Sequence, residues 1–148
     1  EREKTPFETT LQLSEFIKRV IGGKPTPKHK ATRCFQALRI AVNGELDELK
    51  KALESSIDVL ADDGRLCVIS FHSLEDRIVK TFIKDKSQGQ KIPNGLPITF
   101  EEAEKMRLAT AKVEPVGGAI KATPEEIAAN VRSRSATLRI CKRLKRLP

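Results

Sequence analysis

The segment that most limits what this chain can fold into is Arg65 to Phe71, RLCVISF. Its centre, Leu66-Cys67-Val68-Ile69, is apolar without alternation. A strand with one wet face shows a period of two. An unbroken apolar run therefore predicts a strand covered on both faces, as in a parallel sheet. Such a strand needs a neighbour along each edge and a packed layer over each face. One other segment reads as a good strand: Ser135 to Leu144, where Ala136, Leu138 and Ile140 alternate with Thr137, Arg139 and Cys141 in a half-exposed ribbon. The expectation is an α/β fold in which this chain supplies only part of the sheet.

Helices are expected around that strand. Thr9 or Thr10 caps a helix carrying Leu13, Phe16, Ile17 and Val20, and Gly22-Gly23 ends it. An exposed basic connector, Lys24 to Lys30, leads to a second helix over Ala31 to Val42, with Phe35, Leu38 and Val42 on one side. The clearest amphipathic stripe is Leu46, Leu49, Leu53, Ile57 and Leu60, which predicts a helix over Glu45 to Leu60. Ser73 is expected to cap the helix after the strand, with Asp76 at the capping-box position and Leu74, Ile78 and Phe82 facing inward. Lys84 to Ile98 reads as a long polar loop, Thr99 and Thr123 open two further helices, and residues 109–122 fit no element.

Composition narrows the class. A chain of 148 residues with 39% apolar content has room for one core and is no disordered tail. No apolar run reaches the roughly 18–20 residues that cross a bilayer, so no membrane contact is expected. Glu1-Arg2-Glu3-Lys4 lacks a signal peptide's apolar stretch, and a cytoplasmic location is expected. Cys34, Cys67 and Cys141 are scattered, which argues for a reducing compartment and against a zinc site or disulfide framework.

Positive charge is segregated within the net +8. No acid lies between Glu15 and Glu45, a stretch that holds Lys18, Arg19, Lys24, Lys28, Lys30, Arg33 and Arg39. None follows Glu126, after which come Arg132, Arg134, Arg139, Lys142, Arg143, Lys145 and Arg146. Clustered bases suit either a polyanion-facing side or a solvated face with a basic tail. With no tyrosine or tryptophan and only six phenylalanines, an aromatic platform for single strands is disfavoured.

The candidate chemistry is sparse. His72-Ser73 lies at the carboxyl end of the buried strand, the functional edge of open α/β sheets. A nucleophilic serine there would need a G-x-S-x-G elbow, which is absent, and a helix cap explains Ser73 better. Arg77 is a potential ion-pair partner for Glu75 or Asp76. His29 is either a surface histidine or a phosphate or base contact. Arg132 and Arg134, on alternate positions entering the last strand, would share one face and could clamp a phosphate. No G-x-G-x-x-G or P-loop occurs, so no cofactor-phosphate cradle and no metal site is read here.

Three stretches together resemble one family. Lys28 to Ile40 (KHKATRCFQALRI) is similar to the H-P-A-T-R-T-F-Q-A-L-R-I signature of the bacterial 16S ribosomal RNA cytosine-N4 methyltransferases. Gly64-Arg65-Leu66 with Ile69 to Lys80 (ISFHSLEDRIVK) matches the family's G-R-L…I-S-F-H-S-L-E-D-R-I-V-K, and Glu125 to Ser135 resembles its closing E-E-I-A-A-N-P-R-S-R-S. Lys30 and Val131 stand where the family has proline.

The resemblance implies the C-terminal half of a Rossmann-like class I methyltransferase sheet, plus the end of an inserted helical substrate domain. Residues 1–43 would be that helical end and 44–148 the sheet part. An N-terminal half would hold S-adenosylmethionine, leaving no cofactor-binding residue in this chain. The implied reaction moves a methyl group to the exocyclic amine of a cytosine at the decoding centre of the small ribosomal subunit. Lys28, His29, Lys30, Arg33, Arg39, Arg132 and Arg134 would hold 16S rRNA, and Phe71, His72 and Ser73 would line the substrate edge. No catalytic residue is assigned. This chain alone is expected to be inactive, with unpaired sheet edges favouring a homodimer. The alternative is a non-catalytic RNA- or ribosome-binding module of the same descent.

Overall fold

The computed structural model describes residues 6–24, 29–89 and 98–145. The chain divides into two compact units, Glu1–Glu45 and Leu46–Pro148.

The first unit is helical. Helix α1 (Thr10–Ile21) begins at Thr9, whose hydroxyl accepts from Gln12 N while the Gln12 side chain accepts from Thr9 N, a complete capping box. Phe16 carries a ring contact with Phe7 at 5.2 Å and the Arg19 guanidinium at 5.5 Å. Helix α2 (Thr32–Asn43) follows Ala31, which is buried. Its expected apolar side is open, with Leu38 and Val42 exposed.

The second unit holds the sheet. Helix α3 (Glu45–Val59) buries Leu53 and Ile57, as its stripe requires. Strand β1 (Arg65–Ser70) leads into α4 (Ser73–Gln88), which buries Val79, Phe82 and Ile83. Helix α4 runs a full turn into the segment expected as loop and stops at Gly89, whose φ of 63° suits glycine. The remaining loop expected between 90 and 97 lies outside the described residues. Helix α5 (Phe100–Thr110), strands β2 (Val113–Pro115) and β3 (Ile120–Lys121), helix α6 (Pro124–Ala129), a 3-10 turn (Val131–Ser135) and strand β4 (Thr137–Arg143) complete the order. Residues 109–122 thus hide two short strands.

All pairing runs through β4. Strand β1 lies antiparallel along one edge of it, with Leu66 opposite Cys141 and Ser70 opposite Thr137. Strands β2 and β3 lie antiparallel along the other edge. Among the described residues the neighbour of residues 65–71 is thus antiparallel rather than parallel. Among the described residues β1 is an edge strand, its only neighbour is antiparallel, and its burial alternates. Leu66, Val68 and Ser70 turn toward α3 and α4, while Arg65, Cys67 and Ile69 are exposed. The reason is layering: α3 and α4 pack on one face of the sheet, so within this unit the apolar run meets water on every second residue.

Strand β4 shows a second reversal. Its alternating apolar residues suggested a buried Ala136, Leu138 and Ile140 phase. The buried residues are Thr137, Cys141 and Arg143, and Leu138 and Ile140 lie on the other face. The opposite phase wins because Cys141 closes the core formed by Leu53, Ile57, Val79, Phe82, Ile83 and Val113. Burial pushes the Cys141 thiol above its ordinary value, so this sulfur is a packing atom.

One charged contact ties α4 to this strand. Arg139 Nε and Nη2 donate to Asp76 Oδ1 and Oδ2 at 2.8 and 3.0 Å, a two-pronged bond spanning 63 residues of sequence. Arg77, the neighbour expected to pair locally, does not take this role. The Arg139 hydrogen bonds hold the Asp76 carboxyl below the usual carboxylate range. Asp76→Asn should cost about 1–2 kcal/mol near neutral pH. Because the folded-state carboxyl titrates below the unfolded one, that stabilisation is complete above about pH 4 and fades as pH falls through the folded value. In urea denaturation, the gap between wild type and Asp76→Asn should narrow as pH drops toward about 2; a gap that stays constant contradicts the assignment.

Candidate nucleic-acid interface

The turn after β1 is where the ligand-facing edge was expected, and the Phe71 and His72 amides there are engaged. His72, not Ser73, is the N-cap of α4. Its Nδ1 accepts from Glu75 N at 3.4 Å, and Glu75 Oε2 accepts from His72 N at 3.3 Å and from Phe71 N at 2.9 Å. The box therefore starts one residue earlier than the side-chain preference for serine suggested, and Glu75 rather than Asp76 closes it. Ser73 becomes the first helical residue and is exposed. His72 Nε2 sits 3.0 Å from Glu75 Oε1 without the alignment of a hydrogen bond. These bonds fix the direction in which the chain leaves the sheet.

Phe71 is different. The residue is 55% exposed and lines a cavity of about 410 Å³ on the open face of the sheet. Ile69, Ile120 and Leu138 form the apolar wall, and Arg132, Asn130 and Glu126 supply the polar one. The wall follows from register, since Ile69 and Ile120 both stand opposite Leu138. The polar side follows from two caps. Thr123 and Glu126 cap α6 reciprocally, with Thr123 N donating to Glu126 Oε2 at 2.8 Å. Asn130 closes α6 through its N–H to Glu126 O at 2.8 Å and starts the 3-10 turn by accepting from Arg132 N at 3.1 Å. Glu126, Asn130 and Lys121 are pocket residues that sequence reading missed; the signal for Asn130 was its place between a helix start and an Arg-rich segment. Lys121 Nζ donates to Thr137 Oγ1 beside them.

The two arginines expected as a clamp are not aligned. They lie on the 3-10 turn rather than entering a strand. At three residues per turn, positions two apart point about 120° away from each other. Arg132 lines the cavity and Arg134 does not. Both are exposed and make no ion pair among the described residues.

The basic candidates of the first unit divide in the same way. Lys28 lies outside the described residues. His29 uses Nδ1 to accept from Ala31 N at 3.2 Å. Lys30 Nζ donates to the carbonyls of Gly22 and Gly23, closing the end of α1. Arg39 is forked onto Glu45, with Nε 2.9 Å from Oε1. Arg33 alone of these is exposed and without a side-chain partner among the described residues. Of the arginines expected to hold a polyanion, Arg33 in one unit and Arg132 and Arg134 in the other make no ion pair among the described residues.

Comparison with known proteins adds the following. Residues 1–144 match the family model of the MraW methylase family. Over 144 residues the chain is 54% identical to "Ribosomal RNA small subunit methyltransferase H" of Shewanella halifaxensis (strain HAW-EB4), an alignment covering 97% of this chain and 44% of that relative. It is 53% identical over 144 residues to the protein of the same name from Shewanella woodyi (strain ATCC 51908 / MS32), at 97% and 45% coverage. The chain spans less than half the length of these curated relatives.

The cap assignment is directly testable. Glu75→Ala leaves the Phe71 and His72 amides without their acceptor and should cost about 1 kcal/mol. Ser73→Ala should stay within about 0.5 kcal/mol of wild type. Thermal unfolding of both variants distinguishes them; equal losses would return the cap to Ser73.

Proposed function

This chain belongs to the MraW methylase family, and we propose that it is the RNA-facing, C-terminal half of an enzyme that methylates N4 of a cytosine in 16S rRNA at the decoding centre, using S-adenosylmethionine. The single observation that carries the reading is the cavity at the carboxyl end of β1. It has an apolar wall of Phe71, Ile69 and Leu138, and an unpaired guanidinium, Arg132, beside it. Apolar walls with a cation beside them suit a base taken out of its stack with its phosphate held outside. In this reading residues 1–43 are the end of the helical substrate domain and 44–148 the carboxyl part of the Rossmann-like domain.

At the strand-to-helix turn the Phe71 and His72 amides donate to Glu75 and are not offered to an anion. In this reading the cofactor is held by the other half of the longer relatives.

What this chain contributes is placement. The exocyclic amine of cytosine is a weak nucleophile because its lone pair is delocalised into the ring. Acceleration then comes from orientation and from an acceptor for the amine proton. The apolar wall limits how the ring lies. Asn130 and Glu126 are the polar groups of the cavity, with Glu126 Oε2 committed to Thr123 N. Attack by nitrogen needs no covalent cysteine, in keeping with the buried position of Cys141.

Charge reversal tests the RNA role. Arg33→Glu and Arg132→Glu should each weaken binding to small ribosomal subunits by at least about fivefold at 0.1 M salt and lower the salt slope by about one. Unchanged binding rejects the role. Titration of the chain with S-adenosylmethionine should show no saturable binding; micromolar affinity would place the cofactor site in this half instead. Binding to subunits by every longer form without methyl transfer would favour a non-catalytic RNA-binding module.

A further inference from the structure

Strands β2 and β3 are two pieces of one ribbon. Pro115 stands opposite Cys141 and Ile120 opposite Leu138, so the four residues Val116–Ala119 face only Arg139 and Ile140 on β4. The surplus bulges away from the sheet at Gly117-Gly118. Gly117 has φ 68°, and a Cβ at either glycine would meet nothing within 4 Å. Where the ribbon lifts, a second cavity of about 270 Å³ opens between it and α4, distinct from the one at Phe71. Its floor is Ile83, Pro115 and the bare Gly117-Gly118 peptide, and Lys80 and Lys84 line its α4 side.

The charges around this cavity are unbalanced. Lys80 and Lys84 are one helical turn apart, and each lacks an ion-pair partner among the described residues. Like charges at that spacing repel and weaken a helix. No acid lines the cavity. The third base on its wall, Arg139, is already bonded to Asp76. Elsewhere on these helices lysines are matched: Lys50 with Asp47, Lys51 with Glu48 and Lys86 with Glu54. Two unmatched ammonium groups beside an apolar floor lack an anion that carries an apolar body. A nucleotide has both parts, and the volume falls just below the range of about 300–1,000 Å³ for drug-sized ligands, which suits one nucleotide rather than a strand.

We propose that this cavity seats a single nucleotide of the RNA, its phosphate held by Lys80 and Lys84 and its nucleoside against Ile83, Pro115 and Gly117-Gly118, as a second anchor beyond the cavity at Phe71. The proposal rests on the RNA reading above. The test uses this chain with a short single-stranded RNA of mixed sequence, reading affinity against salt and protection of lysines from acylation. RNA should protect Lys80 and Lys84. The double variant Lys80→Gln/Lys84→Gln, which retains good helix formers, should bind about fivefold more weakly per lysine at 0.1 M salt. Lys80→Arg/Lys84→Arg should retain binding. Lys50→Gln/Lys51→Gln removes the same charge elsewhere and should change affinity less than about twofold, since surface pairs contribute little. Unaltered binding by the glutamine pair while Arg132→Glu weakens it overturns this site and leaves the RNA reading standing. If wild type binds no RNA, that reading fails. Cytidine 5′-monophosphate then decides the cavity alone: protection of both lysines supports a nucleotide site, and none overturns it.

Discussion

Everything in the second unit hangs on the strand formed last in sequence. Among the described residues strand β4 is the only one with neighbours on both edges: β1 on one, β2 and β3 on the other. Its partners begin at residue 65, so the sheet closes only when segments separated by most of the unit meet. Such non-local pairing must overcome loop-closure entropy before it is rewarded. The reward is concentrated at Cys141, which packs with side chains from α3, α4 and β2. The Asp76–Arg139 fork adds direction, because it joins the first turn of α4 to the middle of β4 at one angle.

That fork also orders the site. With α4 pinned at its start, the His72–Glu75 box fixes the turn and leaves Phe71 lining the cavity with Leu138 and Ile69. The opposite wall comes from a run of caps, Thr123 with Glu126 and then Asn130, that converts a short helix into a 3-10 turn and delivers Arg132 to the cavity. The first unit uses its basic residues differently. Lys30 and Arg39 neutralise a helix end and a glutamate, and Arg33 stays open. Net charge therefore overstates how many cations are available to a polyanion.

Much of this was legible from residue spacing. The stripe through Leu49, Leu53 and Ile57 specified α3 because one helical face had to be buried, and Thr9, Thr99 and Thr123 marked helix starts through capping boxes. What stayed hidden depended on tertiary choices. A histidine cap was hidden because serine, its neighbour, has the stronger intrinsic preference. The face of β4 was misread because a cysteine, a threonine and an arginine outcompeted leucine and isoleucine for the covered side, a result set by which face the helices occupy. The arginine pair looked aligned because period two was assumed where the backbone has period three. Strands of two and three residues, β3 and β2, carry too few positions to show any period.

The uncovered side of the sheet has a practical meaning. Along β1 a row of hydrogen-bonding groups has no strand beside it among the described residues, and next to it Cys67 and Ile69 lie bare. A ladder that is half satisfied and greasy on one flank acts as a template: it lowers the free energy of any extended polypeptide that lies down against it. Expressed by itself, this polypeptide would behave less like a finished globule than like one side of a zip.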